Sequence, residues 1–177
     1  MIKSHTKNAS VLKEMTKYGF DRISEWTKKE LAELQALSKE PICLELSNGD
    51  YIVATYKVIK LGTGLGWGID DLLFTTKESA IFYASLMHLG KLEEARTLLA
   101  ADARVAMLDE QKNFFRIRAD QAHEQQDEFK IGLYSSRYTE VKNNLVSAKK
   151  ELTKIINNAK YINALGKDYY EITRPAK

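Results

Sequence analysis

Residues 134–162 read YSSRYTEVKNNLVSAKKELTKIINNAKYI, and within them Tyr134, Tyr138, Val141, Leu145, Ala148, Leu152, Ile155, Ala159 and Ile162 recur at alternating steps of four and three. Steps of that size return a side chain to the same side of an α-helix, so the stripe predicts a seam packed on a second helix. The residues between are mostly charged or polar, as the outer face of such a helix requires.

A partner with the same rhythm lies upstream, in Val105, Leu108, Lys112, Phe115, Ala119, Ala122, Gln126 and Phe129, separated from the first by a stretch that contains Gly132. Two helices joined by a short connection run antiparallel. A turn centred near Lys130 would place Ala122 against Tyr138, Phe115 against Leu145, Leu108 against Leu152 and Val105 against Ile155. Residues 102–128 hold seven acids and four bases, net −3, whereas residues 136–177 hold nine bases and four acids, net +5. Opposite net charge should favour the pairing. Each exposed ion pair contributes only about 0.2–1 kcal/mol, so the apolar seam is expected to supply most of the stability.

The rest of the chain is large enough for a small core beside that arm: 177 residues, 44% hydrophobic, with a formal charge of +3. So mild a charge does not by itself announce nucleic acid or an anionic membrane. The single cysteine, Cys43, excludes an internal disulfide framework and fits a reducing compartment. The opening Met1-Ile2-Lys3-Ser4-His5 lacks the apolar run of a signal peptide, and no stretch reaches the roughly 20 apolar residues of a membrane span. A cytoplasmic location without membrane contact is expected, in the host cytoplasm if the chain is viral.

Upstream of the arm, helices are expected over about 9–18 and 22–39, the second closed by Pro41. Ile42, Leu44 and Leu46 alternate with Cys43 and Glu45, and Ser47-Asn48-Gly49-Asp50 suits a tight hairpin leading into one strand from Tyr51 to Leu61. Trp67–Ile69 and Leu72–Thr75 supply two more short antiparallel strands. Thr75 with Glu78 reads as a capping box that opens an almost wholly apolar helix, Ala80–Met87, which Gly90 ends. Another helix follows over Lys91–Ala100, and Asp102 is expected to cap the long arm.

Four glycines alternate through Leu61-Gly62-Thr63-Gly64-Leu65-Gly66-Trp67-Gly68, but they lead toward strand, whereas a dinucleotide loop runs from strand into helix. A flexible hairpin loop is the better reading, a ligand loop the lesser one. His5, His88 and His123 are scattered without ligand spacing, so no metal site is predicted. Asp70-Asp71 and Glu93-Glu94 are adjacent and cannot share one face as an acid–base pair. With no nucleophile beside a base, no catalytic residue and no cofactor are expected. Phe114, Tyr134, Tyr138 and Trp67 are the candidate protein-contact residues. Lys142, Lys149, Lys150, Lys154 and Lys160 are the candidates for nucleic-acid contact, because a basic helix with nearby aromatics offers such a surface.

Two resemblances are carried by these residues. Phe82-Tyr83-Ala84-Ser85-Leu86-Met87-His88-Leu89-Gly90-Lys91-Leu92-Glu93-Glu94-Ala95 resembles one unit of a tetratricopeptide helix pair, but it occurs once, and one unit makes no solenoid groove. The order Asp50-Tyr51-Ile52-Val53-Ala54-Thr55-Tyr56, then Phe74-Thr75-Thr76-Lys77-Glu78-Ser79-Ala80-Ile81-Phe82-Tyr83-Ala84 with Gly90-Lys91, then an arm ending Asn158-Ala159-Lys160-Tyr161, is similar to small uncharacterised proteins of tailed, myovirus-type bacteriophages. That likeness implies a phage origin and assigns no functional residue.

The predicted architecture is α+β and mostly helical: N-terminal helices over 1–40, a small antiparallel β-sheet with packed helices over 41–101, an antiparallel coiled-coil-like helical hairpin over 102–165, and a tail over 166–177. The expected function is non-enzymatic protein–protein interaction, by self-association or with another protein, as adaptor, inhibitor or structural accessory. Nucleic-acid binding through the basic final helix is the alternative.

Overall fold

The computed structural model describes residues 3–4, 27–37, 41–46 and 48–158. Its elements in chain order are β1 (Lys3–Ser4), α1 (Lys28–Gln35), β2 (Cys43–Glu45), β3 (Tyr51–Val53), β4 (Tyr56–Lys60), β5 (Trp67–Ile69), β6 (Leu72–Phe74), α2 (Lys77–His88), α3 (Leu92–Glu124) and α4 (Glu128–Asn158). This is the α+β, mostly helical architecture read from the sequence. The expected helix over 9–18, the tail over 166–177, and Ala159, Lys160 and Ile162 lie outside the described residues.

All six strands form one antiparallel sheet in chain order, each paired with its sequence neighbour. Strict alternation decides what its first half buries. Ile42, Leu44, Leu46 and Ile52 point to one face and pack on Leu31 and Leu34 of α1. Cys43, Tyr51 and Val53 point to the other and pack with Val58, Ile69, Phe74 and, from α2, Ala80 and Ala84. β3 is consequently buried on both faces. Helix α1 starts at Thr27, whose side chain and backbone exchange hydrogen bonds with Glu30 in a capping box. It is tied to the sheet at its far end, where buried Gln35 Oε1 accepts a 2.8 Å bond from Ile42 N.

The Asn48-Gly49 turn joins β2 to β3 as expected, with Gly49 at φ 88°. The single strand predicted from Tyr51 to Leu61 is instead a second hairpin. Ala54 and Thr55 form a two-residue turn, with Val53 facing Tyr56 and Tyr51 facing Val58. Ala54 adopts φ 52°, and nothing in its side chain advertises a turn. The glycine-rich segment is the loop between β4 and β5, closed by the Leu61 N to Gly66 O bond of 3.0 Å. Gly66 has φ 86°, and a Cβ there would collide with the Phe74 carbonyl oxygen, so the close approach of loop and β6 requires glycine.

Helix α2 lies between sheet and arm, which explains why it is apolar nearly all round. Ala80 and Ala84 face the sheet, while Phe82 and Leu86 join Ala95, Leu98, Val105 and Leu108 of α3 and Val141, Leu145, Ala148 and Leu152 of α4 in a second core. Its N-cap is Thr76, which accepts from Ser79 N, so the capping box expected at Thr75 and Glu78 does not form. Thr75 is engaged elsewhere: Asp102 Oδ2 accepts from Thr75 N at 2.8 Å and Asp102 Oδ1 from Thr75 Oγ1 at 2.7 Å. Asp102, expected to begin the arm, is therefore an interior residue of α3, 1% exposed, and the helix runs unbroken through positions 100–102.

The antiparallel arm forms as predicted, but its turn lies at Gln125–Asp127, nearer the N-terminus than Lys130. Gln126 takes φ 56°, and Asp127 Oδ1 accepts from Lys130 N at 3.0 Å, the geometry of an N-cap for α4. Gly132, read as part of the connection, lies inside α4. The register follows the turn: Arg104 pairs with Glu151 across the arm, nearer the turn than Ile156, which the expected register would set against it. Phe129, assigned to the seam, is 81% exposed at the tip, and Gln126 occupies the loop. Lys112 keeps its seam position by pairing its ammonium with Asp109 at 2.6 Å.

Candidate protein-contact site on the helical hairpin

The seam residues Val141, Leu145, Ala148 and Leu152 are all buried, and among the described residues they are the buried ones of α4. What the seam leaves outside is uneven. At about 100° per residue, Leu133, Arg137, Glu140 and Asn144 fall on one side of the α4 seam, and Lys142, Val146 and Lys149 on the other. On α3, Met107 and Phe114 lie on the same side of the hairpin as the first α4 group, whereas Ile117 points away from the seam.

A groove opens between the helices on that side, with a volume of about 870 Å³. Leu108, Phe115 and Val141 form its apolar floor, Phe114 one wall, and Glu110, Gln111, Arg137, Glu140 and Asn144 its polar rim. Phe114 is 51% exposed and held in place on two sides. Its ring meets that of Phe115 edge-on at 5.3 Å, and the Arg118 guanidinium lies 5.3 Å from its centroid. Arg137 and Glu140 pair at 2.9 Å along α4.

Of the four predicted contact residues, Phe114 lines this groove. Tyr134 and Tyr138 sit half-buried at the distal end of the seam, with Lys142 6.0 Å from the Tyr138 ring. Trp67 lies away from the groove: it is half-buried in β5, its ring 5.8 Å from that of Tyr51, and packs against the body core. Arg137, Glu140 and Asn144 were missed from sequence. They flank seam residues by one position, a signal that becomes informative once the register is known.

The four described lysines, Lys142, Lys149, Lys150 and Lys154, are exposed and spread over about 140° of α4 rather than forming one stripe. Lys149, Lys150 and Lys154 make no ion pair among the described residues. The expected charge pairing between arms is not what the structure contains. Among the described residues the cross-arm ion pair is Arg104 to Glu151 at 3.2 Å, with the base on the acidic helix and the acid on the basic one.

Elsewhere, burial pushes the Cys43 thiol up to about 12, with Glu45 adding to the shift, so it carries no thiolate near neutrality. Burial lowers the pKa of His88 at the end of α2. Among the described residues, no three His, Cys, Asp or Glu side chains are grouped to hold a metal ion, and no helix is long and apolar enough to cross a membrane.

Fold and groove together define the class: a two-helix hairpin with one grooved, partly apolar face, carried on a small α+β body. No protein-family model, curated protein or solved structure matches the chain.

Proposed function

We propose that this chain is a non-enzymatic protein-interaction protein, phage-encoded and acting in the host cytoplasm, that engages a protein through the grooved face of its hairpin as adaptor, inhibitor or structural accessory. The observation that carries this reading is the groove itself. An apolar floor ringed by polar side chains, with a half-exposed phenylalanine at its edge, has the composition of a contact surface centred on an aromatic anchor. Capture of the tagged full chain from a bacterial lysate, with and without nuclease, tests it. A stoichiometric protein retained after nuclease and lost with Phe114→Glu is expected. Retention that is indifferent to Phe114→Glu would remove the groove from the reading.

One observation favours a second reading, nucleic-acid binding: Lys149, Lys150 and Lys154 of α4 make no ion pair among the described residues. Phosphate contact through these residues with Lys142, and Lys160 beyond them, would make affinity fall steeply with salt, whereas a mainly apolar interface responds little. Lys149→Glu with Lys150→Glu should weaken this mode and leave the groove mode intact.

A further inference from the structure

We infer that the chain between β1 and α1, residues 5–26, folds back onto the sheet, where the helix expected over 9–18 covers an apolar strip that runs beside α1 from Ile59 to Leu73. The inference concerns the body and stands apart from the reading of the hairpin groove.

The strip follows from the strand register. Ile52 faces Lys57, and two residues further along β4 Ile59 faces Gly68, which in turn faces Leu73. Side chains alternate along a strand, so Ile59 and Leu73 share the face of Leu44 and Ile52, on which α1 packs through Leu31 and Leu34. Gly68 carries no side chain of its own, and that of Leu61 lies over it, 3.6 Å from where a Cβ would stand. Ile59 is 45% exposed, Leu73 67% and Leu65 in the adjoining loop 70%. Among the described residues, then, α1 covers one half of this face and leaves the other half open.

The two ends of residues 5–26 select the occupant. At the β1 edge Ser4 pairs with Leu44, and the chain leaves toward the end of the sheet at which β2 begins. It re-enters at Thr27, the cap of α1, and Lys28 meets Asp70 of the β5–β6 turn at 3.5 Å, at that same end of the sheet. Four strand spacings, about 19 Å, separate β1 from β5, whereas 22 extended residues reach about 70 Å. The segment thus crosses from one margin of the sheet to the other and arrives on the face of α1, with ample length for a helix on the way. Its sequence carries the matching stripe: Val11, Leu12, Met15 and Tyr18 recur at helical steps, with Lys13, Glu14 and Lys17 between them. Ten helical residues are about 15 Å long, which is the width of three strand spacings. Laid beside α1 and antiparallel to it, that helix completes the layer that buries an apolar sheet face. Because both ends are tethered, the stripe meets the strip at an effective concentration of millimolar order, ahead of a second copy or a foreign protein.

The test is hydrogen exchange of the full chain with and without Ile59→Lys and Leu73→Lys. Amides of residues 11–18 should exchange at least about tenfold faster in the double variant, while those of β3 and α2, which report the fold of the body, should be unaltered. Cysteine pairing identifies the neighbour. Met15→Cys with Leu73→Cys should close a disulfide within one chain on oxidation, and the buried Cys43 does not compete. Exchange over 11–18 that is indifferent to the two lysines overturns the inference. So does a disulfide that links two chains, which would make the strip a contact between copies. Should the lysines unsettle the body, the disulfide decides alone, and its failure to form overturns the inference.

Discussion

Asp102 joins the arm to the body through both carboxylate oxygens, one on a backbone N–H and one on a hydroxyl of Thr75. The Thr75 N–H lies just past the end of β6, where no further strand residue can pair it, and an unpaired buried donor costs about 1–3 kcal/mol. Asp102→Ala removes both acceptors and should lower stability by about 3 kcal/mol in urea denaturation. Asp102→Asn should cost only about 1 kcal/mol, because its carbonyl can still accept from the N–H and its amide can donate to the hydroxyl. Equal losses in the two variants would show that the bonds do not hold the joint. The sequence suggested a different role for Asp102, as a cap, because an acid before an apolar run is an N-cap signal whenever the preceding helix has ended. Here it has not ended, and the long-range partner 27 residues away leaves no mark on the local pattern.

At the level of elements, the α4 seam was legible because burial there follows one period over about three turns. Leu145 is 5% exposed, and Leu145→Asp would place a carboxylate in the seam without a partner, a change that costs about 4 kcal/mol or more. Loss of arm helicity by circular dichroism is expected, and native helicity in this variant would contradict the packing. The turn was misplaced because Gly132 looks like a breaker while Gln126 does not. What sets the turn is Asp127, whose carboxylate accepts from the Lys130 N–H and pairs with its ammonium at 2.8 Å. The side-chain and backbone hydrogen bonds from Lys130 hold the Asp127 carboxyl below its ordinary value near 3.8. The sign follows: the cap is intact at and above that value and is lost as pH falls through the lowered one. The Lys130 amide should therefore keep its protection from neutrality down to about pH 4 and lose it on further acidification. Asp127→Ala should abolish that step in an amide-resonance titration. The β3–β4 hairpin escaped detection for a related reason, since Ala54 enters the left-handed region under tertiary control without a glycine or asparagine to announce it.

Across the whole molecule, the body holds only the near half of the arm. Val105, Leu108, Leu145, Ala148 and Leu152 share a core with Phe82 and Leu86 of α2, whereas beyond Phe115 and Val141 the two helices pack, among the described residues, on each other. Hydrogen exchange should report the difference. Amides of residues 115–138 should exchange at least about tenfold faster than those of 98–108 and 145–152, because local opening there breaks fewer buried contacts. Uniform protection along the arm in the monomer would refute this gradient. The fold class and seam were readable in the sequence because both depend on periodic burial, while the groove depends on register, which one displaced turn alters along the full length of the arm. The strand order has a kinetic meaning as well. Since each strand from β2 to β6 pairs with its neighbour in the chain across a short turn, these sheet contacts close short loops, the condition for fast folding. During synthesis at about 5–20 residues per second, β1 to β6 can pair while the arm is still unmade, so the emerging hairpin finds the surface on which it docks already assembled.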